Sequence, residues 1–400
     1  MTATDYAIFD CDTHIYEARD AFTRYLPSEF ADRAVMPIRN ATGDDVVLVG
    51  SRVATFNSEH GMCFDLAYRP GSLREMLRQM ASGDPEETYQ AEPMRPEYLD
   101  AEARLKVMDA QGVQGCVLFP AAMALSLEHY MIDTPALYAN VRSFNRWYDE
   151  TWGFNRHERI YATALMSLRD LDMAVAEVDR LIEAGVRVVL LPTGPAYGRS
   201  PGDPHFDPVW ARLNEAGVLV ALHIMPFWYF DAIGPSWGQS TDPGSWHMSA
   251  WQWQNVYGER PVQDTLSALI FDNVFGRFPN LRVLSAEHGA EWVPHFVRKL
   301  DKSRGMGRNG PWIGGPLGER PSQIFRRHVR VVPYPEDDVT TVIDELGSTE
   351  TIVMGSDFPH AEGLAEPRDF FGLIETLSPQ DQRRIMRENA MDLLGGRARL

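Results

Sequence analysis

Apolar runs of strand length alternate along this chain with segments of helical period. The strand candidates are 7–14, 115–121, 160–166, 186–192, 218–224, 281–287, 329–333 and 351–356. Between them lie amphipathic stretches at 96–112, 134–153, 171–185, 207–217, 262–278 and 291–303, several closing on a glycine just before the next strand, as helix C-termini often do. Eight strands alternating with helices predict an α/β fold, the (β/α)8 TIM barrel, over 1–400 as one domain. A doubly wound open sheet competes, but the polar residues of interest close the first, fifth, sixth and eighth runs, which barrel closure makes neighbours around one mouth. Three segments exceed ordinary loop length, about 15–95, 225–260 and 304–328. In a barrel, long insertions after strands belong at the catalytic face, where they build walls and lids. The first contains DDVVLVGSRVATFN, a small β excursion with a turn at Gly50-Ser51.

Four of the apolar runs end in potential metal ligands. AIFDCDTH closes on Asp12 and His14, VLVALH on His223, LRVLSAEHG on Glu287 and His288, and TIVMGSD on Asp357. Strand side chains alternate faces, so Asp12 and His14 point the same way and can converge on one ion. Histidines and carboxylates gathered at one end of a barrel form the donor set of a catalytic Zn²⁺ or Mn²⁺. Each fragment alone has a bland reading: a capping Asp12, a hydrogen-bonded core His223, a helix-start His288, an N-capping Asp357. Asp10 shares the strand face of Asp12 but lies deeper, which suits a supporting role. Glu287 and His360 stand beside the presumptive ligands and could support them or contact substrate. The fourth run, VRVVLLPTG, has no lysine, and the lysines of the chain (Lys106, Lys299, Lys302) all fall in helical segments. The aromatic group Trp228, Tyr229, Trp237, Trp246, Trp251 and Trp253 could wall a planar substrate or form a dimer interface. Arg19, Arg52 and Arg69 are candidates for an anionic substrate by location.

Composition narrows the class without naming a reaction. Four hundred residues at 44% hydrophobic content suffice for a large core. A formal charge of −18 and no basic stripe argue against nucleic acid. Three cysteines without CxxC spacing (Cys11, Cys63, Cys116) make a disulfide framework or thiolate zinc site improbable. Neither a signal-peptide pattern nor an apolar run of membrane-spanning length is visible, so a soluble cytoplasmic protein with no membrane partner is expected.

DCDTHIYE, LHIMP, SAEHGAEWVP and MGSDFPH together resemble the amidohydrolase superfamily, in its amidohydrolase-related group that includes aminocarboxymuconate-semialdehyde decarboxylase. The four pieces keep the family's order and span nearly the whole chain. The resemblance implies a barrel with one divalent metal, commonly Zn²⁺ and sometimes Mn²⁺, and a small-molecule substrate. It implies that His14, His223 and Asp357 are metal ligands and that His288 acts as base toward water at the metal. Asp12 matches the first ligand position, where the family usually has His or Glu. Members are often dimers with an arginine contributed across the interface, so a homodimer is expected. Non-oxidative decarboxylation of an aromatic or enol-type carboxylic acid leads, with Asp357 relaying a proton. Hydrolysis of an amide, lactone or C–C bond is the alternative, and a non-catalytic metal-binding barrel is the remote one.

Overall fold

In the computed structural model, which describes residues 6–41, 43, 45–58, 64–82, 89–225 and 227–395, seven strands form one parallel sheet in chain order. They are β1 (Ile8–His14), β2 (Val113–Phe119), β3 (Ile160–Leu165), β4 (Val188–Leu191), β5 (Leu219–His223), β6 (Val283–Ala286) and β7 (Val329–Val331). Covered on both faces, such strands read as near-continuous apolar runs rather than alternating ones. That is how IYATAL, VVLL and VLSA appear, with every residue buried.

The eighth run closes the ring without a continuous ladder. Single parallel bridges join Ile352 to Val331 of β7 and Phe358 to Thr13 of β1. Around them, Val353 N–H donates to Val331 O at 3.1 Å, Cys11 N–H to Met354 O at 2.9 Å, and Asp357 N–H to Asp12 O at 2.7 Å. Asp357 then takes a left-handed backbone, φ +56°, which ends any extended ladder there. The ring is therefore a closed α/β barrel whose first strand and last segment are neighbours.

Helices cover the sheet where the periodicity places them. Ala101–Gln111 starts on Asp100, whose carboxylate accepts the Ala103 N–H, and ends at Gly112 in the left-handed conformation. Leu171–Glu183 is capped in the same way by Asp170. Helices Ala122–Tyr130, Pro321–His328 and Val339–Leu346 were not anticipated from the pattern.

The first long insertion contains a three-stranded antiparallel sheet, Val35–Arg39, Asp45–Val49 and Arg52–Val53, turning at Gly50 with φ +60°. It and the second insertion stand over the sheet's C-terminal end. The third differs from expectation. Of residues 304–328, the first three end the helix Val293–Met306 and 307–320 follow that helix rather than a strand, packing at the other end: Asn273 Nδ2 donates to Gly314 O, and Trp312 lies against Phe271.

Cys11 and Cys116 are buried free thiols, and burial holds both above the usual thiol range; Cys63 lies outside the described residues. Among the described residues no helix is long and apolar enough to cross a membrane.

Candidate metal centre and substrate cavity

The ends of β1, β5 and β6 and the closing segment meet at one point. His14 Nε2 lies 3.4 Å from Asp12 Oδ1, 3.4 Å from Asp357 Oδ1, 3.9 Å from Glu287 Oε2 and 3.1 Å from His223 Nε2. His223 Nε2 is 3.0 Å from Glu287 Oε2 and 3.8 Å from Asp12 Oδ1. His360 Nδ1 stands 2.8 Å from Asp357 Oδ1, and its ring lies 4.0 Å from that of His14. Asp12, His14 and His223 thus offer ligand atoms within 4.8 Å of one another, and so do His14, Glu287, Asp357 and His360.

These donors fit a divalent cation. His14 Nδ1 faces Pro120 O at 3.0 Å and His223 Nδ1 faces Ile224 O at 3.3 Å. When Nδ1 holds the proton for its carbonyl, each imidazole presents an Nε2 lone pair, and two lone pairs 3.1 Å apart repel unless a cation lies between them. Two donors each about 2.1 Å from one ion, at roughly tetrahedral to right angles, stand about 3.0–3.4 Å apart. Asp12 Oδ1 and Asp357 Oδ1 are buried and have no hydrogen-bond partner.

The electrostatics agree. Burial pushes Asp12 well above the carboxylate range, repulsion from Asp357 and Glu287 adds to it, and His223 opposes it. Burial and the charge of Glu287 do the same to Asp357, while burial and Glu362 push Glu287 up to about 8. Burial also holds His14, His223 and His288 below the usual histidine range. A divalent positive charge placed among these buried carboxylates and neutral imidazoles would favour the ionised carboxylates.

Local backbone aims these groups. Glu287 and Asp357 both have left-handed φ, +55° and +56°, uncommon for residues other than glycine and concentrated at functional sites. Gly355 lets the closing segment approach β1, since a Cβ there would lie 2.7 Å from Asp12 Cβ and 2.5 Å from Val332 Cγ1. Asp10 is wholly buried beneath the cluster. It accepts the Ser356 N–H at 2.9 Å, the Ser356 hydroxyl at 2.5 Å and the Asp12 N–H at 3.2 Å, and so ties β1 to the segment that carries Asp357. Arg104, equally buried, donates to His14 O at 2.6 Å and fixes the strand end.

His288 stands apart from the ligand group. Its Nδ1 is 3.1 Å from Ser285 Oγ, and its Nε2 is buried without a partner. Burial keeps its ring neutral.

Above the cluster opens a cavity of about 570 Å³. Asp12, His223, Glu287, Asp357 and His360 line it, together with residues of the first two insertions. From the aromatic group, Trp246 and Trp253 reach the cavity. Tyr229 is instead buried on Asp264, and Trp228 and Trp237 are exposed on the surface. The candidate arginines are engaged elsewhere: Arg19 with Asp45 and Asp65, Arg69 with Glu75, and Arg52 on Tyr130. Sequence reasoning missed Glu17, Tyr257 and Glu362, which also line the cavity. Glu17 and Glu362 were within reach, because they follow His14 and His360 closely in the chain, whereas nothing marked Tyr257 among the other aromatics.

The sequence model of the amidohydrolase family matches residues 9–396. This chain belongs to the amidohydrolase family. An amidohydrolase from Mycobacterium avium subsp. paratuberculosis K-10 is 34% identical, with 98% of this chain and 100% of that one covered and a TM-score of 0.86. A dihydroxybenzoic acid decarboxylase from Polaromonas sp. JS666, solved with bound manganese and the inhibitor 2-nitroresorcinol, shares the fold at 14% identity, with 98% and 97% covered and a TM-score of 0.60. Among curated proteins, a 2-amino-3-carboxymuconate-6-semialdehyde decarboxylase from Dictyostelium discoideum is 20% identical over 241 residues, which are 60% of this chain and 62% of that relative's length.

Proposed function

We propose that this amidohydrolase-family enzyme is a metal-dependent, non-oxidative decarboxylase of an aromatic or enol-type carboxylic acid. The carrying observation is that two donor groups sharing His14, one with Asp12 and His223 and the other with Glu287, Asp357 and His360, meet at the floor of the aromatic-walled cavity. One divalent ion, Zn²⁺ or Mn²⁺, would be held by His14, His223, Asp12 and Asp357, with Glu287 at ligand distance from His223. Bound there, the ion supplies Lewis acidity that holds and polarises the oxygens of an acid substrate.

The chain's own residues do the rest. His288, kept neutral by burial, offers its unpartnered Nε2 to orient the substrate or a water by a hydrogen bond. His360 Nδ1, 2.8 Å from Asp357 Oδ1, can hand Asp357 a proton as substrate binds. As the C–C bond breaks, its electron pair stays on the substrate carbon, the proton held at Asp357 moves to that carbon, and CO₂ leaves. In the working assembly two copies form a homodimer.

A second reading, hydrolysis of a neutral amide or lactone, is favoured by one observation: among the described residues no lysine or arginine lines the cavity. Headspace CO₂ measured over a panel of hydroxybenzoates separates the two. Decarboxylation predicts CO₂ in step with substrate loss, and His288→Ala cutting kcat by about 10²–10⁴-fold with metal content unchanged. A product that gains one water with no CO₂ establishes hydrolysis instead.

A further inference from the structure

The turn that carries Glu287 is clamped by the loop after β7. Glu287 and Gly289 both take left-handed backbone, φ +55° and +65°, and a residue other than glycine persists there only where its surroundings fix it. Here the Tyr334 hydroxyl donates to Glu287 O at 2.8 Å. The Tyr334 ring lies over Gly289, where a Cβ would come within 2.6 Å of Cδ2. Asp337 closes the clamp, its Oδ2 accepting the Tyr334 N–H at 2.9 Å and the Ala290 N–H at 2.6 Å. The loop thus grips the turn at Glu287 and again at Ala290.

What the clamp aims is the Glu287 carboxylate. Its Oε2 stands 3.0 Å from His223 Nε2 and 3.9 Å from His14 Nε2, and its ligand atom lies within 4.8 Å of those of Asp357 and His360. When His223 Nδ1 holds its proton for Ile224 O at 3.3 Å, Nε2 meets Glu287 with a lone pair. A carboxylate oxygen stays at that distance only with a proton or a cation between the two. A cation also serves Asp12, whose buried Oδ1, 3.8 Å from the same Nε2, has no hydrogen-bond partner. A proton on Glu287 leaves that oxygen stranded.

We propose that Glu287 is itself a ligand of the metal, and that Tyr334 and Asp337 are the positioning residues that hold it there. This adds a carboxylate to the four ligands named above and rests on the reading that a divalent ion binds at this cluster.

Co²⁺ and Mn²⁺ titrated into the chelated full-length protein test it, read as the dissociation constant and as the visible absorption of bound Co²⁺. Glu287→Gln keeps an N–H to donate to His223 but loses the ligating charge. Affinity should fall by about 100-fold or more, since even partners behind a ligand cost about 10–100-fold, and the Co²⁺ spectrum should change. Tyr334→Phe should weaken binding on the order of fivefold, the worth of one hydroxyl hydrogen bond. In the E287Q background the same change should cost nothing, whereas a merely structural role would lower affinity equally in both. Asp337→Ala, which frees the Ala290 N–H, repeats the comparison should Y334F fail to fold. E287Q with wild-type affinity and spectrum overturns the inference, as does a Tyr334→Phe loss that is the same with and without Glu287. A wild-type protein that takes up neither ion fails the metal reading itself, and the inference goes with it.

Discussion

Replacing Asp10 by alanine tests whether the cluster is held from beneath. Asp10 accepts three hydrogen bonds, from Ser356 N–H, Ser356 Oγ and Asp12 N–H. Stranding three buried donors costs roughly 2 kcal/mol each, about 6 in all. Part of this is returned. Burial pushes Asp10 up to about 6 from 3.8, so its ionised form carries roughly 3 kcal/mol that alanine does not. The net loss at pH 8 is about 3 kcal/mol. The sign with pH follows from the raised value: the Asp10 contribution is fully present below the unfolded pKa and is lost as pH rises through about 6. Integrating between pH 5 and pH 8 makes the variant's loss about 1.4 kcal/mol larger at pH 5. Because Asp12 and Asp357 lose their shared anchor, affinity for Mn²⁺ should also fall by about 10–100-fold. Urea unfolding of the metal-free proteins at both pH values, with a Mn²⁺ titration at pH 8, measures all three quantities. Unchanged midpoints, or a larger loss at pH 8 than at pH 5, would refute the reasoning.

Two further outcomes follow from the same cluster. Chelation should lower the melting temperature, and Mn²⁺ or Zn²⁺ should restore it, by about 2.7 kcal/mol at a hundredfold excess over Kd. With Glu287 held at about 8 and Asp12 and Asp357 also raised, the metal-free fold loses stability as pH climbs from 6.5 to 8, while the metal must displace those protons. The metal-induced gain in melting temperature should therefore grow over that range in scanning fluorimetry, and a gain flat in pH would count against this ligand set. Gly355→Ala should cost about 1–3 kcal/mol and lower metal content by elemental analysis, because the new methyl would meet Asp12 and Val332 inside contact distance; a variant with full metal would show that the closing segment can give way.

The barrel was legible because buried parallel strands write themselves as unbroken apolar runs. Predicted 160–166 and 218–224 overlap the observed Ile160–Leu165 and Leu219–His223 almost residue for residue. The eighth run was equally legible as a barrel position, though left-handed Asp357 keeps it from being a regular strand. Convergence of Asp12, His14, His223 and Asp357 followed from strand ends alone. Nothing in residue order tells whether Glu287 turns toward His223 or away; its left-handed φ decides that. The cavity walls were harder still, because Trp246 and Trp253 face it while Trp228 and Trp237, from the same aromatic stretch, do not. The third insertion went astray because length alone cannot distinguish a loop after a strand from one after a helix.

Asp12 and His14 sit beside Asp357 and His360 because the last segment of the ring docks on its first strand. During synthesis Asp12 and His14 are made some 340 residues before Asp357 and His360. On the proposed ligand set, metal loading would await the docking of the closing segment on β1, and a bound ion would report that docking.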